Sequence, residues 1–450
     1  MDTTLDFRFG WRWLLPLQAG RDIRLFGFVA EEELFWREAM QCKEDARYPE
    51  ILLVNGTHCP EHSGPSDAEI DAAHLVCVIA NRTQGWHWRK RLKVAFPQLR
   101  EYGLLPAGVP RVVIPLTTSQ MAVTALGLHR PGRLIARLGL CLAGVLASVG
   151  NFALLRSRVL LIASRESTDI AKDAVQATGC ARYDKQVMDY ALYLGTPDDN
   201  RKTVVLPLGS SSPTAILKVA ATSRAHASLK NEADALHILS KSSLAARVPK
   251  LYETIESNST LTLYLEYQPR KLVNRQRMNE AVVAFLAELS QLSAVRVPLA
   301  DLMPTLPAIV SEELHEETVV AYRKLCIQLQ QLAESGALIS MHRCHGDFAP
   351  WNCAWTEQGL FVFDWEASKQ RDLTFGDAFY YVTAPALLVQ HNANAQAVLT
   401  ATLQMSGKIA VAVNIDETEV EIYLALWLLS RLHQGDLYEK MLVLIARSWP

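Results

Sequence analysis

The sequence predicts an α+β protein in two parts: an α/β region over residues 1–165, then a two-lobed region over about residues 180–450. Three observations predict this. At 450 residues the chain exceeds the ~250–300 residues at which single cores stop growing. Up to residue 165, short β-like runs interleave with helix-compatible stretches. Beyond that, a strand–turn–strand pattern gives way after Pro269 to helical periodicity, so a small strand-rich lobe (about 180–268) precedes a larger helical lobe (about 270–450).

In the first part the β-like runs are ILLVN from Ile51, HLVCVIAN from His74, RVVIPL from Arg111 and RVLLIAS from Arg158. EEELFWREAM from Glu31 and the stretch around 120–150 read as helical. This part carries no catalytic signature. His58 and His62 flank Cys59 at i,i+4 spacing, but Pro60 and Gly64 mark a loop and no further ligand cluster accompanies them. Trp11, Trp13, Trp86 and Trp88 read as packing residues.

Composition narrows the function classes. Half the residues are hydrophobic (50%) and 20% are charged, an ordinary globular balance, and the formal net charge is −2, so no nucleic-acid partner is expected. The eight cysteines have no repeated spacing and suit a reducing compartment rather than a disulfide framework or zinc module. MDTTLDFRFGWRW lacks a basic start followed by an apolar core, so a cytoplasmic location is expected. One segment competes with that expectation. Residues 138–155 carry no charge and are flanked by Arg137, Arg156 and Arg158, at the lower edge of a spanning length. A buried or domain-packing helix is the favoured reading, membrane insertion or surface association the alternative.

In the second part, TVVLPLGSSSPTAILKVA from Thr203 reads as two strands around a tight polar turn. SLKNEADALHILS from Ser228 repeats apolar residues at helical spacing (Leu229, Ala233, Leu236, Leu239), and TLTLYLEY from Thr260 alternates like a strand. The chemistry-bearing stretch is HGDFAPWN, residues 345–352, followed by LFVFDWEASKQRDLTFGD, residues 360–377. Phosphoryl transfer needs a carboxylate to orient a hydroxyl and take its proton, and a hard cation held by oxygen ligands against the nucleotide phosphates. Asp347 meets the first need, Asn352 and Asp364 the second. Asp347 and Asn352 lie five apart in a loop stiffened by Pro350, and LFVF is a buried-strand run that projects Asp364 at its end.

The order of these residues matches the protein-kinase signature, with Trp365-Glu366 in place of its Phe-Gly. The pattern resembles the aminoglycoside phosphotransferase and choline kinase superfamily, over roughly residues 180–450. The resemblance implies a two-lobed, protein-kinase-like fold, ATP or GTP as donor, and Mg²⁺. It implies Asp347 as catalytic base with His345 bracing its loop, Asn352 and Asp364 as metal ligands, Asp377 as a later structural residue, and Glu366 as a secondary candidate. A kinase-like small lobe also needs a strand lysine for the phosphates and a helix glutamate to hold it. Lys218, ending TAIL, and Glu232 on the next helix fill those places. Gly209, Ser210 and Ser211 form the turn expected over the phosphates, though it is poorer in glycine than the protein-kinase loop. Glu266 and Tyr267 fall where the adenine-contacting connector is expected.

The acceptor is expected to be a small molecule with a hydroxyl, such as a sugar, aminosugar or amino alcohol. Glu312, Glu313, Glu316 and Glu317, with Asp301, read as a solvated helix face rather than a polyamine receptor. Trp351, Trp355, Tyr380 and Tyr381 read as packing at least as well as an aromatic cage for a quaternary ammonium. Two other readings stand beside the phosphotransferase: a catalytically silent kinase-like binding module, and a bifunctional enzyme with a separate N-terminal group-transfer activity. The oligomeric state has no signature.

Overall fold

Apolar runs that alternate or lack charge become strands because successive side chains then point to opposite faces, each of which finds a core. A computed structural model of the protein describes residues 8–15, 22–40, 50–58, 64–106, 109–128, 134–165, 187–195, 198–256, 260–307, 314–390 and 393–449. It is an α+β structure in two compact units, residues 1–229 with 252–267 and residues 230–251 with 268–450.

The first unit is organised by an 11-stranded sheet. Strands β1 (Ile23–Phe26), β2 (Ile51–Asn55) and β3 (Leu75–Asn81) are parallel, joined through helices α1 (Ala30–Met40) and α2 (Asp67–Ala72). β6 (Arg158–Ser164), β4 (Gln98–Leu105) and β5 (Val112–Pro115) extend the sheet antiparallel, with α3 (Arg82–Ala95) between β3 and β4 in sequence and α4 (Ser119–Leu126) and α5 (Leu134–Ser148) between β5 and β6. Strand β5 then pairs with β7 (Val187–Tyr193), through Val112↔Tyr193 and Val113↔Leu192. The antiparallel strands β8 (Lys202–Gly209), β9 (Ala215–Ala220), β11 (Leu261–Glu266) and β10 (Leu251–Glu256) complete the order. Strand pairing therefore runs across the expected 165–180 boundary, and the compact units divide elsewhere.

Both sheet faces are covered. Ile51, Leu53, Cys77 and Ile79 meet the aromatic group Phe9, Trp11, Phe35 and Trp36 on one face. On the other, Leu52, Val54, Val76 and Val78 pack with Ile70, Leu92 and Phe96 of the helical layer. Trp11 is buried as expected, whereas Trp86 is exposed. His58 is in a turn, and Cys59 and His62 lie outside the described residues. Among the described residues no helix is long and apolar enough to cross a membrane. The apolar 138–155 segment is split between α5 and a loop, ended by Gly150 in the left-handed region (φ +79°).

The second unit is mainly helical: α7 (Arg275–Gln291), α8 (Glu316–Glu334), α9 (Gly376–Leu388), α10 (Ala395–Val413), α11 (Val420–Leu429) and α12 (Asp436–Ser448). Helix α6 (Ser223–Leu239) contains the boundary between units, so its second half belongs here. A three-stranded sheet, β12 (Val295–Pro298), β13 (Leu338–Cys344) and β16 (Lys369–Leu373), and the hairpin β14 (Cys353–Thr356)–β15 (Gly359–Val362) support the loop that carries the candidate site.

Candidate active site

Strand β13 ends at Cys344, and the next residues turn beneath the start of α9. Asp377, buried in the first turn of α9, accepts the backbone N–H of His345 (2.7 Å) and of Gly346 (2.9 Å), one on each carboxylate oxygen. Gly346 has φ +84°, and a Cβ there would lie 2.1 Å from the Ala367 carbonyl oxygen, so only glycine fits. His345 is fully buried: its Nε2 is 3.0 Å from the Phe363 carbonyl and its Nδ1 accepts the Asp347 N–H at 3.3 Å. That pattern places the imidazole proton on Nε2 and uses both nitrogens to brace the loop. The Trp365 ring packs on the imidazole, centroids 4.6 Å apart.

Asp347 is thereby presented at the loop surface, half-buried. The Asn352 amide donates to its carbonyl (2.9 Å) and to its Oδ2 (2.9 Å), and the Tyr380 hydroxyl donates to the carboxylate. Burial pushes the Asp347 carboxyl above the ordinary aspartate range, against the Tyr380 and Asn352 hydrogen bonds and nearby His345, and the charge of Asp364 adds to the rise. Tyr380 is also raised, first by burial and then by Asp347.

The β14–β15 hairpin sets the second group. Its register pairs Cys353 with Val362, and the Phe363 N–H reaches the Asn352 carbonyl at 3.1 Å, so the two predicted metal ligands, one before β14 and one after β15, stand at the same end of the hairpin. Asp364 adopts a left-handed backbone (φ 73°), uncommon for a residue with a side chain and often a mark of functional constraint. Ligand atoms of Glu232, Asp364 and Glu366 all lie within 4.8 Å of one another. The Trp365 N–H donates to Glu232 at 3.3 Å, and the Asn231 amide ties down the carbonyls of Glu366 (2.9 Å) and Ser368 (2.8 Å). Clustered carboxylates repel unless a cation offsets them. Hard oxygen donors of this kind, with the Asn352 amide oxygen on the neighbouring turn, fit Mg²⁺.

Glu232, expected to hold Lys218, and Glu366, the secondary candidate, both have ligand atoms within 4.8 Å of Asp364. The signal was present: Glu232 lies three residues after Leu229 and four before Leu236, on the buried stripe of α6. Tyr380, which the sequence offers as packing or as part of an aromatic cage, sits one turn after Asp377 and donates to Asp347. Trp355 lies under the Arg277 guanidinium (4.7 Å) and Tyr381 packs on Phe348 (5.7 Å). Glu317 pairs with Arg447 at 3.0 Å, while Glu312 and Glu313 lie outside the described residues.

In the strand-rich unit, Lys218 is buried on β9 between Val204 of β8 and Leu263 of β11, so it is not an edge-strand lysine. Gly209 closes β8, and Ser210 and Ser211 are exposed in the turn that follows. Glu266 ends β11, and the Tyr267 N–H is donated to the Thr214 carbonyl at 2.8 Å.

Residues 198–380 match the phosphotransferase enzyme family, APH. The match encloses Lys218, Glu232, Asp347, Asn352, Asp364, Asp377 and Tyr380. No curated protein matches the chain. Among solved structures, the chain is similar to choline kinase LicA from Streptococcus pneumoniae (15% identity, 59% of this chain and 95% of that one, TM-score 0.36). It is similar also to amicoumacin kinase hAmiN in complex with AMP-PNP, Ca²⁺ and Ami (13%, 57% and 86%, 0.36). A third is the aminoglycoside phosphotransferase APH(3'')-Id from Streptomyces rimosus (14%, 56% and 92%, 0.33).

Proposed function

We propose that this protein is a Mg²⁺-dependent small-molecule phosphotransferase that moves the γ-phosphoryl group of ATP or GTP to a hydroxyl. The observation that carries the proposal is a half-buried carboxylate, Asp347, held by Tyr380 and Asn352 beside the three-carboxylate group of Glu232, Asp364 and Glu366. In this reading the acceptor oxygen attacks the γ-phosphorus, the bond to the β-phosphate oxygen breaks, and the hydroxyl proton passes to Asp347. Its raised pKa makes Asp347 a better proton acceptor than an ordinary surface aspartate while leaving it within the carboxylate class. Tyr380 and Asn352 aim the carboxylate, and His345 and Asp377 fix the loop that carries it.

Asn352, Asp364 and Glu366 are the proposed metal ligands, with Glu232 beside them. A bound Mg²⁺ would offset phosphate charge during transfer. Lys218 is proposed to meet the donor's phosphates, with the Gly209–Ser210–Ser211 turn over them and the Glu266–Tyr267 stretch near the base. In the helical unit, a cavity of about 1390 Å³ adjoins Pro350 and Tyr381. Arg275, Gln276, Glu280, Gln404 and Lys408 are among its lining residues, a mixture that favours a polyhydroxylated acceptor over a polycation.

The test is Mg²⁺-dependent transfer from γ-labelled ATP and GTP to a panel of sugars, aminosugars and amino alcohols, with Asp347→Asn alongside. Transfer that disappears in the variant supports the assignment and gives the acceptor class. A folded protein that binds neither nucleotide overturns it and leaves the silent module.

A further inference from the structure

The formal net charge of −2 hides a strong asymmetry: residues 72–165 hold thirteen arginines and lysines and one acid, Glu101. Helices α3, α4 and α5 of this segment lie on one face of the large sheet, whereas Arg100, paired with Asp189, and Arg158, near Glu32, belong to the other. Val159, Gly103 and Ile114 are mutual register partners across β6, β4 and β5, so the helices packed against them share that face. Gly85 of α3 packs against Val159, and Ala143 and Ala147 of α5 join the core around Ile114.

Helix α5 contains no acidic residue and buries its small residues, Ala143 and Ala147. Leu140 packs on that core, but several other large residues face out: Leu138 is 61% exposed, Leu142 54%, Val145 63% and, just beyond the helix, Val149 76%. Their spacing of four, three and four is a helical stripe roughly 16 Å long at the usual rise per residue. A helix apolar on both sides is stable only if something covers the second side. Next to the end of this stripe, Val149 shares a cavity of about 620 Å³ with Arg82, Trp86 and Arg89 of α3 and with Phe152 and Arg156. Glu101 pairs with Arg89 and Arg156. On α3, which has no acidic residue, Arg82, Trp86, Lys90 and Lys93 are exposed.

We infer that this face of the strand-rich unit binds an anionic phospholipid surface, with the α5 stripe in the acyl boundary, Trp86 at the headgroup level and the α3 cations on the phosphates. Apolar residues beside cations with an indole between them are what an interfacial helix presents to such a surface. A nucleic acid would use the cations but leave the 138–149 stripe in water. A second copy of the chain, paired through the same patch, would set one positive field against another. The inference does not rest on the phosphoryl-transfer assignment.

The experiment is flotation of the full-length protein with vesicles of phosphatidylcholine alone, or with one quarter phosphatidylglycerol, at physiological and high salt. Binding is expected to the anionic vesicles and to fall with salt. Leu142→Glu with Val145→Glu should lower partitioning by about tenfold or more while leaving the melting temperature unchanged, because both side chains already face solvent. Lys90→Gln and Lys93→Gln should each lower it about fivefold, and Trp86→Ala gives an independent loss at the other rim. Equal or absent binding to both vesicle types overturns the inference. So does polyanion binding that Leu142→Glu leaves intact, which would indicate nucleic acid. A concentration-dependent dimer abolished by Leu142→Glu, without vesicle binding, would assign the face to a second copy.

Discussion

The loop around Asp347 and the helix α5 are opposites in how they satisfy their chemistry. Around residues 345–377 polar groups enter the interior and are tied: Asp377 holds two N–H groups, His345 uses both nitrogens, and Asn352 donates twice to Asp347. In α5 the reverse holds, with small residues inward and Leu138, Leu142 and Val145 outward. Buried polar groups cost several kcal/mol unless paired, so such a loop is retained for what it positions. Exposed apolar stripes are tolerated only with a use or a cover. The comparison teaches that one region acts by restraint and the other through a surface left open.

The sharpest way to break the first half is to remove charge without removing shape. Asp347→Asn should lower the rate of transfer by ~10²–10⁴-fold with nucleotide binding retained, whereas Asp364→Asn should also weaken Mg²⁺–nucleotide binding, read by titration with each metal–nucleotide complex. Stability should move differently. Burial raises the Asp347 pKa in the folded state, so the folded protein holds that proton more tightly and loses stability as pH rises through the raised range. At neutral pH the neutral asparagine should therefore melt no lower than the wild type. A clear drop would mean that the ionised carboxylate is a structural anchor instead.

Next in size is Gly346→Ala. A left-handed backbone costs a residue with a side chain about 1–2 kcal/mol, and the overlap with the Ala367 carbonyl adds to it. Denaturant midpoints should fall and activity should fall with them; full activity at unchanged stability would show that the loop has room to move.

Tyr380→Phe tests the finer restraint. Without the hydroxyl, Asp347 loses a hydrogen bond that favours its ionised form, so its pKa rises further and the acidic limb of the pH–rate profile moves to higher pH. The rate on the plateau should drop about fivefold, the worth of one such hydrogen bond. A uniform rate loss with an unmoved limb would assign Tyr380 to acceptor positioning alone.

Much of this was legible in the sequence, for reasons tied to particular residues. Strands β2 and β6 coincide with the ILLVN and RVLLIAS runs because uncharged apolar runs announce burial on both faces. Strands β1 and β4 carry charges in IRLF and QLREYGLL and gave no such run. The continuity of the sheet was not legible, since the β5–β7 pairing rests on backbone hydrogen bonds that impose no side-chain pattern. At the site, HGDFAPWN and DWE stand together in sequence, so their roles could be weighed as a set. Tyr380 could not, because its hydroxyl matters only once α9 is placed against Asp347. The positive face was legible only in part: Arg137, Arg156 and Arg158 flank the apolar 138–155 segment, but a whole-chain charge of −2 averages the α3 cations away.

The smallest expected effect sharpens the second half of the comparison. Leu142→Gln replaces one good helix former by another on the exposed side of α5, so the melting temperature should correspond to a change within about 0.5 kcal/mol. Ala147→Leu, further along the helix, enlarges a side chain that is fully buried in the core α5 shares with α4, and should cost about 1–3 kcal/mol by overpacking. Unequal costs for two residues five apart would establish in solution that α5 has one finished face and one open face. A Leu142→Gln cost as large as that of Ala147→Leu would instead mean that the stripe is covered within the protein alone, leaving no apolar surface for a membrane to take up.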